Sequence, residues 1–405
     1  MSGRATTGKY LRAFRHRNFR IVYPANLVSN IGTWAQRIAQ DWLVLQLTHS
    51  PQDLGFVTAL QFVPTIFLST WGGLLADRYS KRMLLVYTNL GSAVAAGALG
   101  FLVLSDAVQL WHVYLLACLL GIFSAIDGPV RQSFNSELVG PADVPNAVSL
   151  NSANFNIGRL LGPAISGFLI QAFGTGPSFI INAVSYLAVI MALLAMRPNH
   201  LATTEFAPKG AKIREAWQYV RSRPDLFLVM AAVLTTATFG LNFQIFIAIM
   251  STAEFHKKAG DFGLLGTALA VGSLSGAVLS ARLERHRTPR KIMTWMSVFG
   301  IALIPLAFAP NYLSFGLLLP VCGVLALVGL ISANSYVQTT TEPALRGRVM
   351  GIYLLIFMGG TPIGSSLLGI AAQQFGIRPT IVACGVITAL AATLFLVALG
   401  RRRHT

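Results

Sequence analysis

The chain has 405 residues, 54% of them hydrophobic and only 11% charged, with a net charge of +17. A soluble domain carries about 25% charge, so an ordinary water-soluble enzyme is excluded at the outset. At roughly 20 apolar residues per crossing, about twelve helical spans fit the length, with short loops and no large extramembrane domain. In chain order, residues 1–20 come first, with Arg4, Lys9, Arg12, Arg15, Arg17 and Arg20 set around Tyr10, Leu11, Phe14 and Phe19. They read as a basic interfacial stretch that docks on anionic headgroups. The apolar segments of the first half are Ile21–Leu47, Leu54–Leu75, Met83–Leu104, Leu110–Val130, Ala147–Phe173 and Ser178–Met196. Those of the second half are Leu226–Met250, Phe262–Leu283, Ile292–Phe308, Tyr312–Val337, Val349–Phe375 and Thr380–Leu399. The first segment holds Arg37 and Asp41 and lacks a small-residue cleavage pattern, so it is expected to stay as a span rather than leave as a signal peptide. Cys118, Cys322 and Cys384 all lie in apolar runs without metal-ligand spacing, which argues against a disulfide framework and a metal site.

The charges are placed asymmetrically. Of 31 Lys and Arg, 26 fall on the side of the N-terminus, three on the other, and Arg37 and Arg159 inside segments. Short basic loops stay cytoplasmic, so both termini are expected inside. The basic excess then needs no nucleic acid. The polar connection from Arg197 to Arg223 divides the chain and is expected to hold a short amphipathic helix near Ile213–Val220. A shift of 202 residues superposes Gly121 on Gly323 and Pro141 on Pro343. It also superposes Gly158, Gly162 and Gly167 on Gly360, Gly364 and Gly369, and Phe173-Gly174 on Phe375-Gly376. The expected organisation is a basic segment 1–20, six-helix bundles 21–197 and 224–400, a cytoplasmic linker 198–223 and a basic tail 401–405. Parallel six-helix repeats are a transporter architecture with the substrate site at their interface.

Between segments two and three runs Gly73-Leu74-Leu75-Ala76-Asp77-Arg78-Tyr79-Ser80-Lys81-Arg82. This loop resembles the signature of the Major Facilitator Superfamily, with Ser80 and Lys81 as small departures. The resemblance implies an all-α membrane protein of twelve transmembrane helices in two six-helix repeats. It also implies that Gly73, Asp77, Arg78 and Arg82 form an inner latch, extended by Asp127 and Arg131. Gly73 is expected to allow close helix packing, and Asp77 to accept hydrogen bonds from a helix N-terminus. The loop 282–290 of the second half keeps charge but not the motif. In the fifth segment, Gly158-Arg159-Leu160-Leu161-Gly162-Pro163-Ala164-Ile165-Ser166-Gly167 resembles the antiporter signature of the family. Gly158 and Gly162 share a face, so another backbone can approach, while Pro163 invites a bend. These motifs, with Asp127–Ser133, Asn151–Asn156 and Gly32–Arg37, resemble the bacterial efflux branch that includes macrolide and enterobactin exporters.

Polar groups inside the spans are the candidate site residues. Asn26, Asn30, Thr33, Arg37 and Gln40 recur at steps of four and three, forming one helical stripe with Asp41 at its margin. Such a stripe must face a wet cavity or the bundle interior. Arg37 and Asp41 are placed to pair, either as a structural ion pair or as a proton-coupling pair. Arg159, in the middle of its span, requires an anionic partner or an anionic substrate. Asn242 and Gln244 give the seventh segment a milder polar face. The expected activity is export of small hydrophobic or amphipathic molecules, such as a drug, antibiotic or siderophore-like compound, by alternating access in exchange for protons. Uptake of a nutrient is the alternative within transport. An enzyme would want a His, Asp or Glu cluster at one interface, a scaffold would tolerate loss of the motifs, and an ATP-driven pump would need a phosphate loop. The expected setting is the bacterial cytoplasmic membrane, as a monomer without cofactor or metal.

Overall fold

A computed structural model describes residues 11–197, 213–283, 288–343 and 345–401. The first ten residues, most of the linker 198–212, the loop 284–287 and the tail after Arg401 lie outside the described residues. Among the described residues, twelve long helical segments follow one another. They are α1 Arg17–Thr48, α2 Pro51–Arg78, α3 Lys81–Leu104, α4 Leu110–Val139, α5 Val144–Phe173 and α6 Gly176–Leu194. Then come α7 Pro224–Glu254, α8 Ala259–Arg282, α9 Pro289–Ala307, α10 Tyr312–Thr340, α11 Arg346–Phe375 and α12 Ile377–Arg401. A short helix, Ile213–Ser222, lies ahead of α7, where an amphipathic stretch is expected; its Ala216 and Val220 are fully buried.

Local chemistry sets the ends. Gly140, Gly174 and Gly376 take positive φ immediately after α4, α5 and α11, where a left-handed residue closes a helix. The last two are repeat mates. Proline opens α7 and α9, where its missing N–H costs nothing. The Asn311 side chain caps α10 by accepting from Ser314 N at 2.9 Å. Several helices outrun their apolar segments. α4 continues nine residues past Val130 because Phe134 and Leu138 enter a core with Phe19, Leu85 and Leu193, and Lys81 pairs with Glu137. α7 is interrupted by π-helical turns at Thr236–Gly240 and Met250–Glu254 that the apolar pattern does not announce.

Nine of the described helices are long and apolar enough to cross a membrane, or ten if the two parts of α2, bent by 52°, count as one span. The two others, α1 and α5, are 32 and 30 residues long and carry the polar stripe and the asparagine-rich run. Their polarity has to be met inside the protein or by water.

The described helices cluster into two compact units: Met1–Leu43 with Val63–Pro208, and Val44–Phe62 with Lys209–Thr405. In the first unit α3 packs along α6 and α4, and in the second α9 packs along α12 and α10. The expected bundle boundaries assign residues 44–62 to the first half, whereas they cluster with the second. Close helix packing explains the difference: a Cβ on Gly55 would overlap the Ser365 carbonyl of α11, and Gly369 stands 3.0 Å from the same position.

The described end of the basic N-terminal segment packs on protein. Phe19 is 1% exposed and joins Phe14 and Tyr23 in an aromatic cluster, so its apolar side is committed to the core. Arg12 and His16 reach Asp143 at 3.3 and 2.9 Å. The hydrogen bond from His16, then the Arg12 and Arg15 charges, hold the Asp143 carboxyl below the usual carboxylate range. This contact is present at neutral pH and is lost only as pH falls through that lowered value. Asn18 exchanges two bonds with the Arg197 backbone, at 3.0 and 3.2 Å, tying the start of α1 to the end of α6.

Candidate functional site: a polar interior in the first unit

The α1 stripe is met by polar side chains from α4, α5 and α6. Asn30 donates to Asn154 Oδ1 at 2.6 Å, the Thr33 and Tyr186 hydroxyls are hydrogen-bonded at 3.1 Å, and Gln36 accepts from Asn182 at 2.7 Å. Asn26 accepts from Arg131. Gln40 and Asp41 are each 1% exposed. Arg37 lies over the Trp34 ring at 4.9 Å and interacts electrostatically with Asp41 and Tyr186. The stripe thus lies within the unit, and Asn26 and Gln40 are interior groups.

Asp127 is the centre of a second network one helix away. Its carboxylate receives two bonds from Arg131, at 2.6 and 2.9 Å, and one each from Thr88 and Asn89 at 3.0 Å. Arg131 then spans to Asn26, so α1, α3 and α4 are joined through two charges. Removing the carboxylate strands the guanidinium and two polar side chains, and hydrogen bonds to charged groups contribute about 1.5–3 kcal/mol. Asp127→Ala should therefore lower thermal stability in detergent more than Thr88→Val does. Equal melting of the two variants would show that the network adds nothing to packing.

The loop after α2 divides its labour. Arg82 donates to the Leu193 and Leu194 carbonyls at 2.7 and 2.8 Å, capping α6, while Asp77 and Arg78 are exposed. The close approach expected of Gly73 belongs to its neighbour. A Cβ on Gly72 would stand 3.1 Å from the Ile126 backbone, whereas nothing lies within 4 Å of one on Gly73. Adjacent helical residues point about 100° apart, so only one of them can face α4.

The glycines of α5 face α1. A Cβ on Gly158 would stand 3.0 Å from the Asn30 backbone, and one on Gly162 only 2.5 Å from Trp34. Pro163 and Gly167 are buried beside them, and Ser166 is fully enclosed. The second unit repeats the arrangement. Gly360 and Gly364 of α11 face the first π-helical turn of α7, with Ala237 Cβ 2.7 Å from a Cβ on Gly360. There Asn242 donates to the Thr238 carbonyl at 2.7 Å, is 4% exposed, and keeps its Oδ1 without a partner. Gln244, two residues on, is partly buried.

Arg159 stands apart from these networks. It lies midway along α5, partly buried, and makes no hydrogen bond or ion pair with a described residue. Thr88, Asn89, Asn182 and Tyr186 are the interior groups that sequence reasoning missed. Each interrupts an otherwise apolar span, Thr88 and Asn89 as an adjacent pair, and a polar residue inside a span is the signal that could have found them. At the start of α7, Arg223 bonds both Asp225 oxygens at 2.9 and 2.7 Å, and Tyr336 donates to Asp225 at 2.7 Å. The bonds to Asp225 hold the Arg223 guanidinium above its ordinary range. No group of three His, Cys, Asp or Glu that could hold a metal occurs among the described residues.

The family model for transmembrane secretion effectors (MFS_3) matches residues 9–403. The staphyloferrin A transporter of Staphylococcus aureus is 27% identical over 369 residues, covering 88% of this chain and 90% of that protein. The multidrug efflux pump Tap of Mycolicibacterium fortuitum is 29% identical over 380 residues, covering 89% and 90%. The enterobactin exporter EntS of Citrobacter koseri is 23% identical over 359 residues, covering 87% and 85%. Among solved structures, an inward-facing bacterial homologue of the human lysosomal transporter Spinster matches with a TM-score of 0.75 at 15% identity, covering 94% of this chain and 96% of that one. The nucleoside transporter NupG matches with a TM-score of 0.72 at 13% identity, covering 94% and 98%. Twelve helices, a repeat whose glycines pack alike in both units, and a match along nearly the whole chain place this protein in the transmembrane secretion effector family of the Major Facilitator Superfamily.

Proposed function

We propose that this protein exports small amphipathic molecules across a bacterial cytoplasmic membrane by alternating access, drawing on the proton gradient. The observation that carries the reading is the buried carboxylate of Asp41 beside Arg37, at the end of a stripe of neutral polar side chains on α1. A carboxylate held there is costly unless it is paired or protonated, which suits a group that takes up and releases a proton once per cycle. Relatives named as efflux pumps and exporters support the outward direction. Asp77 and Arg78, exposed at the end of α2, are left for a latch that opens and closes, while Lys81 and Arg82 fix the loop to the first unit. Inside-out vesicles energised by respiration and offered a cationic dye such as ethidium test the reading. Accumulation that collapses with a protonophore supports it, and accumulation only in right-side-out vesicles would make the protein an importer.

The orientation is part of the same proposal. Single cysteines at Ser80 and Ala107, both exposed, are placed in a background lacking Cys118, Cys322 and Cys384. Ala107 is preferred to its neighbour Asp106, whose φ of 54° suits Asp or Asn but strains a cysteine. With the basic loops inside, an impermeant thiol reagent applied to whole cells should label Ala107→Cys and spare Ser80→Cys. The reverse labelling would place the termini outside.

A further inference from the structure

The first unit contains a widely open cleft of about 320 Å³ between α4 and α5. Gln132 and Asn135 of α4 and Val148, Asn151, Ser152, Phe155 and Asn156 of α5 line it. Four of these are carboxamides, one is a hydroxyl, and none is an acid. The Asn151 amide nitrogen is buried there without a hydrogen-bond partner. Arg159 follows Asn156 by three residues and Ser152 by seven, so it continues the same face of α5 one turn deeper. It lies about 22 Å from the start of the helix at 1.5 Å per residue, and no described residue pairs with it.

These features are unfavourable if they have only an architectural role. A guanidinium near mid-membrane is costly to insert, and an amide face turned to lipid adds to that cost. Both costs are offset if the cavity is wet and receives an anion. A guanidinium binds a carboxylate through two parallel N–H···O bonds. Amide N–H groups along the wall can serve the remaining lone pairs, and Phe155 offers an apolar surface to whatever is attached. We propose that Arg159 and the amide-lined cavity form a carboxylate-binding subsite that takes the acidic end of an amphipathic substrate. Calling that ligand a substrate rests on the export reading; the subsite itself is tested by binding alone.

The full chain is placed in phosphatidylcholine nanodiscs and titrated with 4-phenylbutyrate and with 4-phenylbutanamide, which match in shape and differ in charge. One charge-assisted bond changes affinity by about tenfold or more. The wild type should therefore prefer the carboxylate by at least that factor. Arg159→Gln should erase the preference by weakening the carboxylate far more than the amide, Arg159→Lys should retain part of it, and Asn151→Leu should reduce it. Removing a mid-membrane charge eases insertion, and monodispersity on gel filtration checks that each variant is folded. Equal affinities in the wild type, or a preference that survives Arg159→Gln, overturns the proposal. Loss of phenylbutyrate binding in the wild type on adding phosphatidylglycerol would assign the subsite to a lipid headgroup and overturn the substrate assignment. Failure of export with the preference intact overturns the export reading and leaves the subsite standing.

Discussion

Asp41→Asn should abolish substrate accumulation driven by a proton gradient while leaving exchange down a substrate gradient measurable. The substitution keeps the shape of the side chain and removes the one group on the α1 stripe that can alternate between charged and neutral. Asp41 is 1% exposed and acts electrostatically on Arg37, which itself lies against Trp34. Burial penalises a bare carboxylate and a nearby guanidinium favours it. A movement of α1 that changes the Arg37 separation therefore changes the hold on the proton. With Asn at the position no proton is carried, so the gradient cannot be used. Asp106→Asn, in an exposed turn, is the matched control and should transport normally. Full gradient-driven accumulation by Asp41→Asn would reduce Asp41 to a structural partner of Arg37 and direct attention to Asp127.

Gly364→Ala is expected to be the most damaging single methyl in the second unit. Its Cβ would overlap the Thr238 carbonyl oxygen and stand 2.8 Å from the Asn242 amide nitrogen. The obstacle is backbone in a π-helical turn, so no side chain can swing aside. Overpacking of this kind costs about 1–3 kcal/mol and sometimes more, and here it also separates α11 from α7. At the repeat mate Gly162 the nearest atom is the Trp34 Cβ at 2.5 Å, with backbone at 3.0 Å, so Gly162→Ala should be milder. Gly351→Ala meets nothing within 4 Å and gains up to about 1 kcal/mol in helix propensity. Yield and melting by fluorescence-detected gel filtration should rank Gly364→Ala below Gly162→Ala and both below Gly351→Ala. Equal behaviour of the three would refute the view that these glycines set helix spacing.

Much of the architecture is legible in the order of the residues because a bilayer imposes a length and a polarity on each span. The twelve segments, the 202-residue repeat and the helix around Ile213–Val220 follow from apolar runs and recurring glycines alone. What is hidden is mostly partnership. The α1 stripe announces a polar face, but nothing in its spacing says that Asn30 meets Asn154 or that Gln36 meets Asn182. Those partners lie more than 120 residues away, and packing selects them. Gly73 is misread because a motif marks a position, whereas contact depends on helix phase, and Gly72 faces α4 instead. The π-helical turns of α7 escape because a single inserted residue leaves no trace in an apolar pattern. The clustering of residues 44–62 with the second unit escapes for the same kind of reason: Gly55 is one glycine among 37 until its neighbour is known.

Coupled exchange is tested most directly by reversing it. Purified protein is reconstituted in liposomes with a pH-sensitive dye inside and no imposed pH gradient, and ethidium is then added outside. Substrate entering through an exchanger must expel protons, so the interior should become more alkaline, and Asp41→Asn should leave it unchanged. Acidification on addition of substrate would mean that proton and substrate travel together. No pH change alongside measured dye uptake would mean that transport is uncoupled, and either result would contradict the account.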